Sequence, residues 1–448
     1  MKQPQSSEHA TEAAVLAKAD LQEGEVGAKS DAASISPYLY YLIFMLFMAN
    51  MFNQMDRTVL SVLIEPIRQD LSLTDNQIGS LGFAFAIFYA TFGLFIGRLT
   101  DTHSRSKLLS IAIGVFSTAT VVCGWVQNYV QLFIARVVVG AGEAGGVPTS
   151  YSIVGDSFRP EHRASALALV YGGVAVGSAV GLILAGVLAD AVGWRMTFVL
   201  FGIPGLLLAL GVWFTVKEPL RGRFEGAEVQ AAEAPSLVET IRTLSGNRTF
   251  IFITFAYSIS LFCMYGIGYW LPSYLIRSLG MSLTQVGLIY GPIVGLTMAV
   301  GLIVSAVLVP KLLKADRRWE LWLPGAMNAL AAVCYVALFT AQTLLTAIVF
   351  ASMASFLIGI TVGPASAGIQ STVTARKRGV AVAVVMFVSA LFGQGLGPWL
   401  IGIASDMLAS AHGEDSLRIA LRYSPIVFLI GSLFYYLGGR SFNSDRVD

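Results

Sequence analysis

The sequence predicts an all-α membrane protein of twelve transmembrane helices arranged as two six-helix halves. Three observations carry that prediction. Of its 448 residues, 55% are hydrophobic and only 12% are charged, whereas a soluble domain carries about 25% charge. Twelve continuous apolar runs follow one another, each near the roughly 20 residues that a helix needs to cross a bilayer. Lysines and arginines gather in alternate loops. Mean hydropathy is +0.70. The net charge of +2 gives no reason to expect a nucleic-acid partner.

The runs fall at approximately 38–63, 77–99, 107–126, 129–154, 164–189, 196–216, 249–276, 284–309, 320–340, 343–370, 380–407 and 421–439. Strands that cross membranes would give short alternating segments instead. If the N-terminus is cytoplasmic, the cytoplasmic loops hold Arg98, Arg105 and Lys107, then Arg159 and Arg163. They continue with Lys217, Arg221, Arg223, Arg242 and Arg248, then Lys311, Lys314, Arg317 and Arg318, then Arg376, Lys377 and Arg378. The opposite loops hold only Arg68, Arg195, Arg277, Arg418 and Arg422. Positive charge stays inside, so both termini are expected in the cytoplasm. The expected home is the cell membrane, as a multi-pass protein of the bacterial inner membrane type.

Five segments are expected. Residues 1–36 are a disordered cytoplasmic tail and 37–216 an N-terminal six-helix bundle. Residues 217–248 are a cytoplasmic linker, with Glu225, Glu228 and Glu233 among basic residues and a short surface helix near Ser236–Leu244. Residues 249–440 are the C-terminal bundle and 441–448 a tail. No basic-then-apolar signal layout opens the chain. The halves also repeat weakly. "SLTDNQIGSLG" opens span 2 and "SLTQVGLIYG" opens span 8, aligning Gln77-Ile78-Gly79 with Gln285-Val286-Gly287. Spans 5 and 11 match through small residues, Gly173, Gly177 and Gly181 against Gly393 and Gly397. Small residues four apart let helices approach closely.

Metal and enzyme chemistry are not expected. Cys123, Cys263 and Cys334 lie far apart in apolar runs, with no CxxC spacing. His9, His103, His162 and His412 lie in termini or loops. No Ser/His or Cys/His constellation falls in the spans, and no cofactor is expected. The chemistry that stands out is buried charge. Intramembrane charges are costly and tend to mark ion or substrate paths. Span 1 carries Asn53, Asp56 and Arg57; span 4 carries Arg136 and Glu143.

Depth can be estimated at 1.5 Å per residue. Asp56 and Arg57 lie about 27 Å along span 1, and Arg136 about 10 Å down span 4 from the opposite face. The depths overlap, so Asp56 is expected to pair with Arg136. Glu143, about 10 Å further inward, is expected in the same cavity. Arg57 is then left to meet a substrate anion, and Arg57 and Arg136 are expected to recognise its phosphate or carboxylate, with Glu143 also at the substrate site. Span 7 offers Tyr265 and Tyr269 on one face at i,i+4. The charged first half and the aromatic second half suggest an amphipathic substrate. Proton coupling needs a group that changes protonation, and Asp56 and Glu143 are the candidates, with Arg136 as partner.

The repeated halves resemble a major facilitator transporter, whose substrate site lies near the midplane between the halves. The loop after span 2, Gly97 to Lys107, resembles that superfamily's signature G-x-L-x-D-x-x-G-R-[KR]. Gly97, Leu99, Asp101 and Arg105 match, while Ser104 replaces a glycine and the second basic residue moves to Lys107. The resemblance implies a cytoplasmic latch built on Gly97, Asp101 and Arg105. Span 4 resembles R-x-x-x-G-x-G through Arg136, Gly140 and Gly142. "NQMDR" with "RVVVGAGEA", and "GWR" at 193–195, resemble the spinster-like branch. That resemblance implies transport of a sphingosine-phosphate-like or other lysolipid molecule, with protons; a monomer in the lipid bilayer is expected. Two readings remain beside it. One is a proton-coupled exporter or symporter of drugs, sugars or other organic anions on the same fold. The other is a receptor of transporter shape.

Overall fold

The computed structural model describes residues 36–222, 224, 237–374 and 377–445. The expectations for residues 1–35, Arg223, Glu225, Glu228, Glu233, Ser236, Arg376 and 446–448 lie outside the described residues. Among the described residues there is no strand. In chain order the helices are α1 (Pro37–Asp70), α2 (Asp75–Thr102), α3 (Arg105–Cys123), α4 (Tyr129–Glu143), α5 (Gly146–Ser157), α6 (Pro160–Thr215), α7 (Leu237–Gly246) and α8 (Arg248–Leu279). They continue as α9 (Leu283–Ala315), α10 (Trp319–Thr340), α11 (Leu344–Ser371), α12 (Arg378–Ser389), α13 (Leu396–His412), α14 (Ser416–Tyr423) and α15 (Ile426–Asp445).

Nine stretches among the described residues are long and apolar enough to cross a membrane. Two of them are double. α6 has 56 residues, about 84 Å of helix, far more than one bilayer core. Gly193, at φ 80 and ψ 163, breaks it. The stretch Gly379–Asn443 has 65 residues and likewise contains two crossings. Counting these two twice and adding the more polar α1 gives twelve. The structure differs from the twelve-run reading in one crossing that matters. The fourth is not continuous but is split into α4 and α5 at Ala144-Gly145. Pro148 explains the split, because it lacks the N–H that would bond the Ala144 carbonyl.

The chain divides into two compact units, Met1–Phe44 and Met45–Asp448. The described part of the first is the opening turns of α1. The second holds the bundle. Lipid tails are as apolar as leucine, so helices here associate through close packing and hydrogen bonds rather than through exclusion of water. In the second half the core is aromatic. Tyr335 stacks on Phe428 with centroids 5.8 Å apart, and Tyr274 meets Phe339 edge-on at 5.1 Å.

Within the second unit, the hydrogen bonds and ion pairs that join the two halves gather at one end, here termed the closed end. Two corners make the junction, α2 against α13 and α6 against α9, and they mirror each other. The repeated segments noted in the sequence are capping boxes: Thr74 with Gln77 opens α2, and Ser282 with Gln285 opens α9. Each reciprocal cap satisfies two backbone donors. Each new helix start is then capped again from the other half. Asp406 of α13 accepts from the Asp75 and Asn76 amides at 3.0 and 2.8 Å. Asp190 of α6 accepts from the Thr284 amide at 2.8 Å. Carboxylates at helix N-termini are favourable because unpaired amides and the helix dipole point there. Four residues earlier on each capping helix stands a glycine. A Cβ on Gly402 would collide with the Asp75 carbonyl, and one on Gly186 with the Leu283 carbonyl.

One corner carries more. Arg277 of α8 reaches Glu65 at 2.6 Å and Asp75 at 2.7 and 2.8 Å. Ser405 donates to Asp75 at 2.6 Å, and Trp399 donates to Asn76 at 2.7 Å. At the other end, side-chain bonds run within a half. Thr249 donates to Asp445 at 2.8 Å, and Ser371 donates to the buried Glu320 at 2.8 Å.

Candidate functional site

Between the halves lies a cavity of about 290 Å³. Gln54, Arg57 and Ser61 of α1, Phe85 of α2 and Arg136 of α4 form one wall. Tyr265 and Tyr269 of α8, Tyr290 of α9, Tyr335 of α10 and Gln394 form the other. A larger groove of about 820 Å³ runs between α3 and α4, walled by Ile111, Val115, Val122, Trp125 and Ile134. Its lining has no charged group, so the smaller cavity is the candidate site. Two π-helical turns border it: 286–290 in α9, which holds Tyr290, and 390–395 before α13, which holds Gln394. Such turns are rare and frequently sit at functional sites.

Four charged side chains form two ion pairs beside this cavity. Arg136 donates to Asp56 at 2.9 Å, and both are buried. Thr120 of α3 holds the second Asp56 oxygen. Arg57 donates to Glu143 at 2.7 Å. The expected pairing of Asp56 with Arg136 is made, and Asp56 and Arg57 serve different partners, as adjacent helical residues pointing about 100° apart should. Arg57 is not left unpaired for a substrate. Its partner Glu143 is fully buried at 0% exposure, whereas the Arg57 side chain keeps 18%. Glu143 therefore stands behind Arg57 and does not line the cavity, and neither does Asp56.

The reason lies in side-chain direction. Side chains lean toward their own helix N-terminus. α1 and α4 are antiparallel, so Arg57 and Glu143 lean toward each other across the rise that separates residues 136 and 143. Glu143 is also the last residue of α4. Its carbonyl accepts from the Asn53 amide group at 3.3 Å, and its Oε1 has no hydrogen-bond partner among the described residues.

Of the two tyrosines singled out, both reach the cavity. The Tyr269 hydroxyl also crosses between halves, donating to the Ile78 carbonyl at 3.0 Å. Phe85 and Tyr89 were not foreseen. Tyr89 has its ring centroid 4.4 Å from the Arg57 guanidinium carbon, and Phe85 lies 5.2 Å from Arg57 and 5.4 Å from Arg136.

The loop signature is rearranged. Asp101, in the last turn of α2, is exposed and makes no hydrogen bond or ion pair among the described residues. Gly97 lies within α2, with open space where a Cβ would stand. Arg105 does not bond Asp101 but turns inward, buried, to Asp156 of α5 and to Glu218 at 2.8 Å. Ser104, extended at φ −61 and ψ 118, causes that turn by starting a new helix. Partial burial acts to raise the Glu218 carboxyl, but the Ser106 amide, Arg105 and Ser104 outweigh it and hold it below the usual carboxylate range.

A bundle of twelve crossings, joined at one end around a cavity with paired charges on its wall, is the design of a membrane transporter. The profile of the Major Facilitator Superfamily matches residues 46–398. The chain belongs to that superfamily, and spinster proteins are among those it is similar to; it handles small-molecule substrates and is not an enzyme. It is 30% identical, over 88% of its length and 91% of the relative's, to an MFS-type efflux pump of Mycolicibacterium smegmatis. It is 25% identical, over 88% and 82%, to the sphingosine-1-phosphate transporter SPNS2 of Danio rerio. Among solved structures it is similar to a bacterial homolog of the human lysosomal transporter Spinster in an inward-facing, unoccupied conformation. The TM-score is 0.83 at 27% identity, covering 93% of this chain and 100% of that one.

Proposed function

We propose that the protein is a proton-coupled transporter that works by alternating access and moves an amphipathic anion of the lysolipid or sphingolipid type. The transporting unit is one chain in the cell membrane. The observation that carries this reading is the layering of the site. Arg57 faces the cavity, while its carboxylate partner Glu143 is buried behind it. An incoming anion and a proton are then linked. A proton on Glu143 frees the guanidinium, and a phosphate or carboxylate takes its place as partner. Asp56 and Arg136 form the second pair, which parts or holds as the halves rock. Tyr265, Tyr269 and the apolar second half meet the uncharged portion of the substrate. Positive charge in the loops supports assigning the open end to the cytoplasm, which makes this conformation inward-facing. The likeness to the inward-facing spinster homolog agrees with that.

Transport by purified protein in proteoliposomes tests the reading, with imposed pH gradients and a panel of lysolipids, sugars and organic anions. Glu143→Gln and Asp56→Asn are each expected to abolish uphill, proton-driven transport while the protein still folds. Normal transport with a sustained pH response in both variants would sink it. A second reading, export of drugs, sugars or other small organic anions, is favoured by size. At about 290 Å³ the cavity sits at the small end of ligand pockets, which begin near 300 Å³. The same panel separates the two.

A further inference from the structure

We infer that Phe85 and Tyr89 of α2 form a cation–π floor that keeps the Arg57 guanidinium turned to the cavity when Glu143 releases it. Tyr89 is then a positioning residue for the anionic group of the substrate. This inference rests on the transport reading above and deepens it.

Arg57 has partners of two kinds. The ionic one is Glu143 at 2.7 Å. The aromatic ones are Tyr89 at 4.4 Å and Phe85 at 5.2 Å from the guanidinium carbon. Phe85 and Tyr89 are four residues apart, so they share one helix face. Their rings lie nearly parallel, 15° between planes with centroids 5.8 Å apart, and each offers its aromatic surface to the Arg57 guanidinium. A planar, weakly hydrated guanidinium stacks on such a surface in a way a lysine ammonium would not. The attraction grows when water is excluded, and Arg57 is mostly buried.

The surrounding charges leave little else for Arg57 to do. Asp56 is held by Arg136 and Thr120. Asn53 is occupied with the Glu143 carbonyl. An Arg57 freed from Glu143 thus has the aromatic floor beneath it and the cavity in front. The open acceptor position in front suits one compact anion, bound bidentately. Phe85 also lies beneath Arg136, so altering it disturbs both pairs. Tyr89 is the cleaner probe.

Two arms test the inference on the full-length protein in nanodiscs. The first is a cryo-EM structure of Glu143→Gln. The guanidinium is expected to stay over the Tyr89 ring, within the roughly 6 Å reach of a cation–π contact. A guanidinium that has left the ring overturns the inference whatever the substrate is. The second arm measures binding of oleoyl lysophosphatidic acid and of monoolein, which has the same acyl chain and no phosphate. Tyr89→Leu is expected to weaken lysophosphatidic acid about tenfold, with Tyr89→Phe and monoolein binding within about twofold of wild type. Equal losses for both lipids would reduce Tyr89 to a packing residue and overturn the inference. If the wild type binds neither lipid, the lysolipid reading fails, and the structural arm alone decides on Tyr89.

Discussion

The two corners of the closed end start from the same parts. Each has a capping box, a carboxylate from the other half on a helix N-terminus, and a glycine four residues before that carboxylate. At the α6–α9 corner little is added. At the α2–α13 corner Arg277 bridges two buried carboxylates, Glu65 and Asp75. Asp406 caps two amides from a half-buried position, while the exposed Asp190 caps one. The difference separates two jobs. The shared parts set how closely the halves approach, and the ion cluster sets how firmly the end stays shut. An evenly built junction would have no preferred place to open, whereas this one holds mainly on one side.

The sharpest way to break the comparison is Arg277→Ala. It leaves Glu65 and Asp75 without their shared cation, a loss of about 3–5 kcal/mol for a broken buried pair. The open-to-closed ratio at this end should rise at least a hundredfold. Labelling of a cysteine placed at Thr58 in the cavity, by an impermeant thiol reagent applied from the closed side, reads that ratio. Unchanged labelling would mean that the corners bear equally. Asp406→Asn removes the charge from two capped amides. The expected cost is about 1 kcal/mol, or roughly a fivefold rise in the same labelling. Asp190→Asn should change it by less than about twofold, because the cap is single and exposed. Equal effects of the Asp406 and Asp190 variants would erase the asymmetry.

The smallest effect belongs to Glu218, outside the corners. Its carboxyl is held below its ordinary value of 4.5. Its contribution is therefore present above about pH 4.5 and disappears as pH falls through the lowered value. Glu218→Gln should lower the melting temperature slightly at neutral pH. The gap from wild type should close on acidification, and a gap that stayed constant in pH would assign the effect to packing.

Much of this was legible in the residues. Apolar runs located the crossings because a bilayer core fixes their length. Depth arithmetic brought Asp56 to Arg136 because both lie at similar heights on antiparallel helices. The same arithmetic missed Arg57–Glu143, since rise per residue locates backbones and not the lean of long side chains. The loop signature suggested Asp101 with Arg105, four residues apart. A helix start at Arg105 intervenes, and the arginine finds Asp156 instead. The corners were half visible. The repeat SLTxxQ or SLTQ shows in the residues as symmetry, but its outside partners stand 94 to 331 residues away, beyond what spacing can reveal. The repeated G-x-x-x-D at 186–190 and 402–406 was the available signal.

The split in the fourth crossing has a mechanical consequence. A helix interrupted at one point is a rod with a joint, and this joint sits at Glu143. The arm beyond it, α5, has 12 residues, about 18 Å of stiff lever. Its far end is gripped through Asp156 by Arg105. A small sideways push on that grip arrives at the joint as a rotation, and the carboxyl that turns there is the one Arg57 holds.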